Sequence, residues 1–266
     1  MTDDPTLDTL AERIAADLLI RAPHQPHARV LGKDLAAAYR VQDRVVSRIQ
    51  ASREWGTVTG FKVAMNSKAL LERYGLDEPV SARIFSAGRH AGHTIDLTGR
   101  SFRQFAFEPE IAALIGSPLE PRAGGHDRES VRPAIERLVP ALELLDQRGI
   151  VMTEASAADA IAQNISNAGI AIGGPGVSPA EYEALQVTTQ VRFGDQDIAS
   201  VTQAMPQHPL DVVAWMANHL AARGLQIEAG MVILCGTHTP IQHPPRGARI
   251  QVAMTGLGQV EVRLPG

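Results

Sequence analysis

Beyond Gly56 the chain breaks into short apolar, β-prone runs punctuated by Gly and Pro, and this punctuation constrains the fold more than any other feature. TVTGFKVAM, RQFAFEPEIAALI, GIAIGG, LQVTTQVRF, MVILCG, ARIQVAM and QVEVRL are each of strand length. Two helical segments precede them. Asp4 can cap a helix starting at Pro5, in which Leu7, Leu10, Ile14 and Leu18 repeat at helical spacing. RAPHQPHARVLG ends it, and a second helix is expected from about Lys33 to Ser52, with Leu35, Tyr39, Val45, Val46 and Ile49 on its apolar face.

Within the β-rich part, Asn66 can cap a short helix, SKALLERYG, stopped by Gly75. VRPAIERLVPALELLD reads as a helix followed, after Pro140, by a strand. A further helix begins near Pro209, contains DVVAWMANHLAAR and stops at Gly224. The expected class is α+β: a mixed, largely antiparallel β core with a small helical N-terminal part. Residues 1–55 would form that part and residues 56–266 a catalytic β-rich core. The boundary is soft enough for one continuous domain.

Composition excludes several functions. A net charge of −4 provides no cationic footprint for nucleic acid or an anionic membrane. Aromatic residues make up only 4%, too few for a base-stacking platform. No apolar run approaches the roughly 20 residues that span a bilayer, and the acidic start MTDDPTLDTL is unlike a signal peptide. The single Cys235 excludes an internal disulfide and any multi-cysteine metal cage. A soluble cytoplasmic protein handling a small molecule is the expectation.

Glu108-Pro109-Glu110 carries the clearest chemical signal. On a strand, residues two apart share a face, where two carboxylates repel unless a cation lies between them. Ile111, Ala112, Ala113, Leu114 and Ile115 follow at once, so the strand runs into the core. Such a pair suits Mg²⁺, which takes oxygen ligands at about 2.0–2.1 Å. The competing reading is an exposed edge strand with solvated glutamates. Glu143 sits in the apolar run VPALELLDQ, where an isolated carboxylate is costly, and could supply a third ligand; otherwise it is a surface or salt-bridged side chain. Lys62 interrupts an apolar strand and could neutralise the cluster or act as an acid, unless it points to solvent. His90 and His93 read as surface residues.

In order, G-x-K-V-A-M-N-S-K-A, E-P-E-I-A, P-A-L-E-L-L-D, Q-N-I-S-N-A-G-I-A-I-G-G, H-P-L-D-V-V-A-W-M-A-N and a closing G-L-G-Q-V-E-V-R-L resemble the 2-hydroxypenta-2,4-dienoate hydratase / 4-oxalocrotonate decarboxylase family of the fumarylacetoacetate hydrolase superfamily. The similarity runs from about Leu35 to Leu264. It implies a fumarylacetoacetase-like fold, a place in aromatic catabolism and a lyase reaction on a 2-keto acid. Mg²⁺ or Mn²⁺ would be bound by Glu108, Glu110 and Glu143. Lys62 would be catalytic; the Gln163–Ser166 segment would bring Asn164 and Ser166 to the substrate, and the Gly236–Thr239 turn Thr237 and His238. A third glutamate, rather than an aspartate, favours the hydratase/decarboxylase branch over the C–C hydrolases. A homo-oligomer, and a complex with a sister enzyme, are further expectations.

Two departures bear on the substrate. Val80 stands where hydratases of the family carry an Asp, as in the decarboxylases. Ala106 stands where a basic residue is expected, on the face of Glu108 and Glu110. Without a substitute from Arg103 or Arg83, the substrate would lack a second carboxylate. With the hydratase-like Gly236–Thr239 turn and N-A-G-I-A-I-G-G segment, this ranks hydration first, decarboxylation second because of Val80, and a noncatalytic keto-acid-binding or partner subunit third.

Overall fold

The computed structural model describes residues 5–151 and 155–266. Asp4, the expected cap of the first helix, lies outside them. Three helices open the chain: α1 (Pro5–Leu19), the single turn α2 (Ala28–Leu31) and α3 (Leu35–Ser52). Next come β1 (Val58–Ala64), α4 (Lys68–Tyr74), β2 (Val80–Phe85), β3 (Arg89–Ala91), β4 (Thr94–Asp96) and β5 (Phe105–Ile115). After α5 (Arg128–Val131) follow β6 (Ile135–Asp146), α6 (Ala157–Ala162), β7 (Asn167–Ile172), β8 (Gly174–Pro175) and α7 (Pro179–Tyr182). The chain closes with β9 (Thr188–Phe193), β10 (Gln196–Thr202), α8 (Pro209–Ala221), β11 (Val232–Thr237), β12 (Arg249–Met254) and β13 (Gly258–Arg263).

Local chemistry sets the helices. Asp34 caps α3 by accepting from Ala37 N at 2.8 Å, and Ala38, Val41, Val45 and Ile49 recur at helical spacing along its buried face. That face packs on Leu10 and Ile14 of α1, on Ile161 of α6 and on Val80 and Phe85 of β2. Among the described residues no helix is long and apolar enough to cross a membrane.

The strands form two sheets. One runs β2-β1-β11-β5-β6-β7-β3 and the other β10-β9-β12-β13-β4, with β8 pairing β13. Pairing is antiparallel except for β1–β11, β3–β7 and β13–β4. The sheets meet through one face of β5 and β6: Ile111, Ala113, Leu142 and Leu144 share a core with Val191, Val252 and Val260 of the second sheet and with α8. Strand alternation sends Ala112, Ala141, Ile170 and Leu234 to the opposite face. Glu108, Glu110 and Glu143 have the parity of that second face.

Side chains saturate the outer edge of β2. Tyr39 Oη accepts from Ser81 N at 2.9 Å, Gln42 donates to Ser81 O at 3.0 Å, and Asn164 bonds both the N–H and the C=O of Arg83 at 2.8 Å. A bare row of strand amides there would otherwise be open to further pairing.

Two local expectations are corrected. The helix foreseen before Pro140 is confined to Arg128–Val131 and a 3₁₀ turn at Arg132–Ala134; β6 then runs unbroken from Ile135 through Pro140 to Asp146. Pro133 stops the helix, and pairing with β5 along its length overrides the helical spacing. The cap of α4 is Ser67, which accepts from Leu70 N at 3.3 Å, rather than Asn66.

Candidate metal centre and its cavity

The central pair β5–β6 places Glu108 directly opposite Glu143, with Glu110 two residues further along the same face of β5. The three carboxylates each offer an oxygen, and these oxygens lie within 4.8 Å of one another. Glu110 and Glu143 are buried and Glu108 half-buried. Two of them are held by donors from other elements. Lys62 of β1 reaches Glu143 at 3.0 Å, and Asn167 at the start of β7 donates to Glu143 Oε1 at 2.9 Å. Gly236 N donates to Glu110 Oε2 at 2.6 Å.

The last contact depends on the backbone. Pro109 has no N–H to give, and the β5–β11 register breaks between Leu234 and Thr237. The break leaves the Gly236 amide free for a carboxylate. Gly236 has φ +106°, and a Cβ there would lie 2.7 Å from Asn66 Nδ2, so glycine fits both the turn and the close approach.

Charge decides what this arrangement can hold. Burial, and then the neighbouring Glu143, push the Glu108 carboxyl up to about 7. Burial, followed by Glu143 and Glu108, raises Glu110 well above the usual carboxylate range. Burial works against a charge on Lys62 but is outweighed by Glu143 and Glu108, so the ammonium persists. One ammonium against three ionised carboxylates leaves two negative charges uncompensated in a buried site. A divalent cation balances them, and an all-oxygen donor set suits a hard ion. The residues present therefore fit a divalent metal.

The cluster lies on the wall of a cavity of about 280 Å³. Lys62, Glu108, Glu110, Gln163, Ser166 and Thr237 line it, along with apolar side chains such as Leu70, Leu145, Ile150 and Ile165. Lys62 is the only Lys or Arg among the described lining residues.

Other residues singled out in the sequence lie elsewhere. Asn164 is absent from the lining and spends its amide on β2. His238 donates its N–H to Pro109 O and turns its ring to Thr189 of β9, 2.6 Å away, on the inter-sheet side; burial pushes it down to about 4. Arg83 is engaged by Asp43 and Gln42, and Arg103 Nε donates to Arg21 O. Neither arginine lines the cavity, so neither replaces the cation missing at Ala106. Val80 is buried against the N-terminal helices. His93 is exposed, whereas His90 is half-buried and pairs with Arg100.

Several cavity or cluster residues carried no signal of that role in the sequence. Asn66 resembled a helix cap. Asn167 lies in the resembling stretch but one residue beyond Gln163–Ser166, the part given a role. Gln147 and His24 come from loops without a motif.

A model of the fumarylacetoacetate (FAA) hydrolase C-terminal domain matches residues 61–264. The chain is 26% identical to 2-hydroxyhexa-2,4-dienoate hydratase from Comamonas testosteroni, over 99% of both chains. It is 30% identical to 2-oxo-hept-4-ene-1,7-dioate hydratase from Escherichia coli, over 85% of each. Among solved structures, 4-oxalocrotonate decarboxylase from Pseudomonas putida G7, complexed with magnesium and adipate, superposes with a TM-score of 0.86 at 25% identity over 99% of both chains. The chain belongs to the fumarylacetoacetate hydrolase family, in the group that holds the 2-hydroxydienoate hydratases and 4-oxalocrotonate decarboxylase.

Proposed function

We propose that the protein is a Mg²⁺- or Mn²⁺-dependent hydratase of a small 2-hydroxydienoic acid, the tautomer of a 2-keto acid. The observation that carries this reading is the convergence of Glu108, Glu110 and Glu143, with Glu108, Glu110 and Lys62 lining a mostly apolar cavity. A divalent ion bound there supplies a Lewis acid for the oxygens of a 2-keto acid. Lys62, kept cationic by Glu143 and Glu108, attracts and orients the substrate carboxylate and can give up a proton. Asn167 fixes Glu143 and Gly236 fixes Glu110, so two of the three donors are pre-arranged rather than assembled on binding. Leu70, Leu145, Ile150 and Ile165 exclude bulk water along the carbon chain. Substrate-side roles for Ser166 and Thr237 are consistent with their place in the lining.

Decarboxylation is the second reading, supported by the similarity to 4-oxalocrotonate decarboxylase and by the decarboxylase-like Val80, although Val80 does not line the cavity. The missing cation at Ala106 argues against a substrate with a second carboxylate, which would bury an unpaired charge, and so against a 4-oxalocrotonate-type dicarboxylate. The test is an ultraviolet assay run in parallel on 2-hydroxypenta-2,4-dienoate and 2-oxohex-3-enedioate, with Mg²⁺ and with chelator. Mg²⁺-dependent loss of the dienoate without CO₂ is the expected result; CO₂ release from the dicarboxylate alone would replace hydration by decarboxylation.

A further inference from the structure

The linker between α1 and α2 contributes His24 to the cavity wall, and a hydrogen-bond network fixes which of its ring nitrogens carries hydrogen. Gln163 has both ends of its side chain committed: Oε1 accepts from Arg148 Nη2 at 2.9 Å, and Nε2 donates to Gln25 O at 2.9 Å. Arginine cannot accept and a carbonyl cannot donate, so this amide cannot be turned round. Its second Nε2 hydrogen meets His24 Nε2 at 2.9 Å. That ring nitrogen must accept, which places the hydrogen of the neutral imidazole on Nδ1. Burial, then the Arg148 charge, lowers the proton affinity of His24; His27 adds to this and Asp159 opposes it.

Nδ1–H is then the uncommitted polar group of the ring, with no partner among the described residues. Gln147 lies on the same wall, its amide oriented by the Nε2–H tautomer of His243. Its Oε1 bonds His243 Nε2 at 2.8 Å, and its amide nitrogen has no partner among the described residues. The cavity therefore offers two neutral N–H donors and, Lys62 apart, no Lys or Arg among its described lining.

We propose that His24 and Gln147 form a subsite for an uncharged oxygen, a hydroxyl or a carbonyl, on the substrate tail, with His24 determining specificity. The inference rests on the keto-acid reading above and adds to it the chemical class of the tail. A hydrocarbon tail would cover the two donors without satisfying them. A carboxylate tail would bring a full charge to a wall with no cation for it. Gln163 and Arg148 act through His24 as positioning residues.

Titration of the Mg²⁺-loaded protein with 2-oxohexanoate and 2,5-dioxohexanoate, whose second carbonyl lies beyond the carbon that hydration would attack, tests this. The dioxo acid should bind about 5–10-fold tighter, the size of one neutral hydrogen bond. In His24→Phe the difference should vanish, with Mg²⁺ affinity and 2-oxohexanoate affinity kept as evidence of an intact fold. His24→Gln, which restores a donor, should recover part of it. Nitrogen-15 NMR of the imidazole should show the Nδ1–H tautomer, and the Nε2–H tautomer would overturn the inference. Equal affinities in the unaltered protein, or a preference surviving His24→Phe, would also overturn it and leave the keto-acid reading standing. Absence of Mg²⁺-dependent binding of either acid would overturn both.

Discussion

Lys62 Nζ stands 3.0 Å from each carboxylate oxygen of Glu143, and the two side chains retain only 3% and 0% of their exposure. A buried pair of this kind gains little net stability from its attraction, because desolvating both charges offsets it. Its value here is positional: it sets an ammonium beside the carboxylates proposed to hold the metal.

Replacing Lys62 with Met should therefore separate two roles. Turnover should fall on the order of 10²–10⁴-fold, as for the loss of a positioned acid. Mg²⁺ affinity should hold or tighten, since the lost ammonium repels the ion. Steady-state kinetics and calorimetry on one preparation decide it. Equal losses of rate and metal affinity would make Lys62 only a structural counter-charge.

The metal-free cluster should carry a pH signature. Glu108 is pushed up to about 7 from the ordinary 4.5. Below pH 4.5 the folded and unfolded chains both hold this proton; between 4.5 and 7 only the folded chain does. Stability from this group is thus lost as pH rises across that window, by up to about 3 kcal/mol. Raised Glu110 acts in the same direction. The gap in Tm between Mg²⁺-loaded and chelator-treated protein should accordingly widen from pH 5 to pH 8. A gap that stays constant would show that these carboxylates do not hold the ion.

Gly236→Ala tests the broken ladder beside Pro109. A methyl at φ +106° would press on Asn66 and displace the amide that holds Glu110. A cost of roughly 1–3 kcal/mol is expected from the backbone alone, together with weaker Mg²⁺ binding. Denaturant midpoints measured with and without Mg²⁺ separate the two effects. Unchanged metal affinity would mean that the Gly236 N–H does not matter to the site.

The cavity wall also predicts discrimination by charge. With Arg83 and Arg103 engaged elsewhere, a second carboxylate on the substrate meets no added cation. A 2-hydroxydienoate without a terminal carboxylate should show kcat/KM at least about tenfold higher than its dicarboxylate counterpart. The reverse order, with CO₂ released, would restore the decarboxylase reading.

Much of this was legible in the residues. Glu108 and Glu110 are two apart on a strand, so their shared face follows from alternation alone. The apolar run around Glu143 marked a buried carboxylate, but only pairing between β5 and β6 supplies its partner. Pairing register is a long-range property, and for the same reason the stretch before Pro140 read as helix although it completes β6. The roles of Asn167 and Gln163 are fixed by partners far away in sequence. His238 illustrates the converse: its turn was recognisable, yet a contact with β9 decides which side of the sheet the ring occupies.

The facing of Glu108 and Glu143 also bears on how the chain reaches its native state. Sliding β6 by a single residue against β5 would turn Glu143 to the inter-sheet side and scatter the three oxygens. With the proposed ligands, divalent-ion affinity becomes a molecular checksum for the central hairpin: a refolding chain would acquire it when β5 and β6 have locked in the correct alignment, and a misaligned but compact species would be silent to the ion.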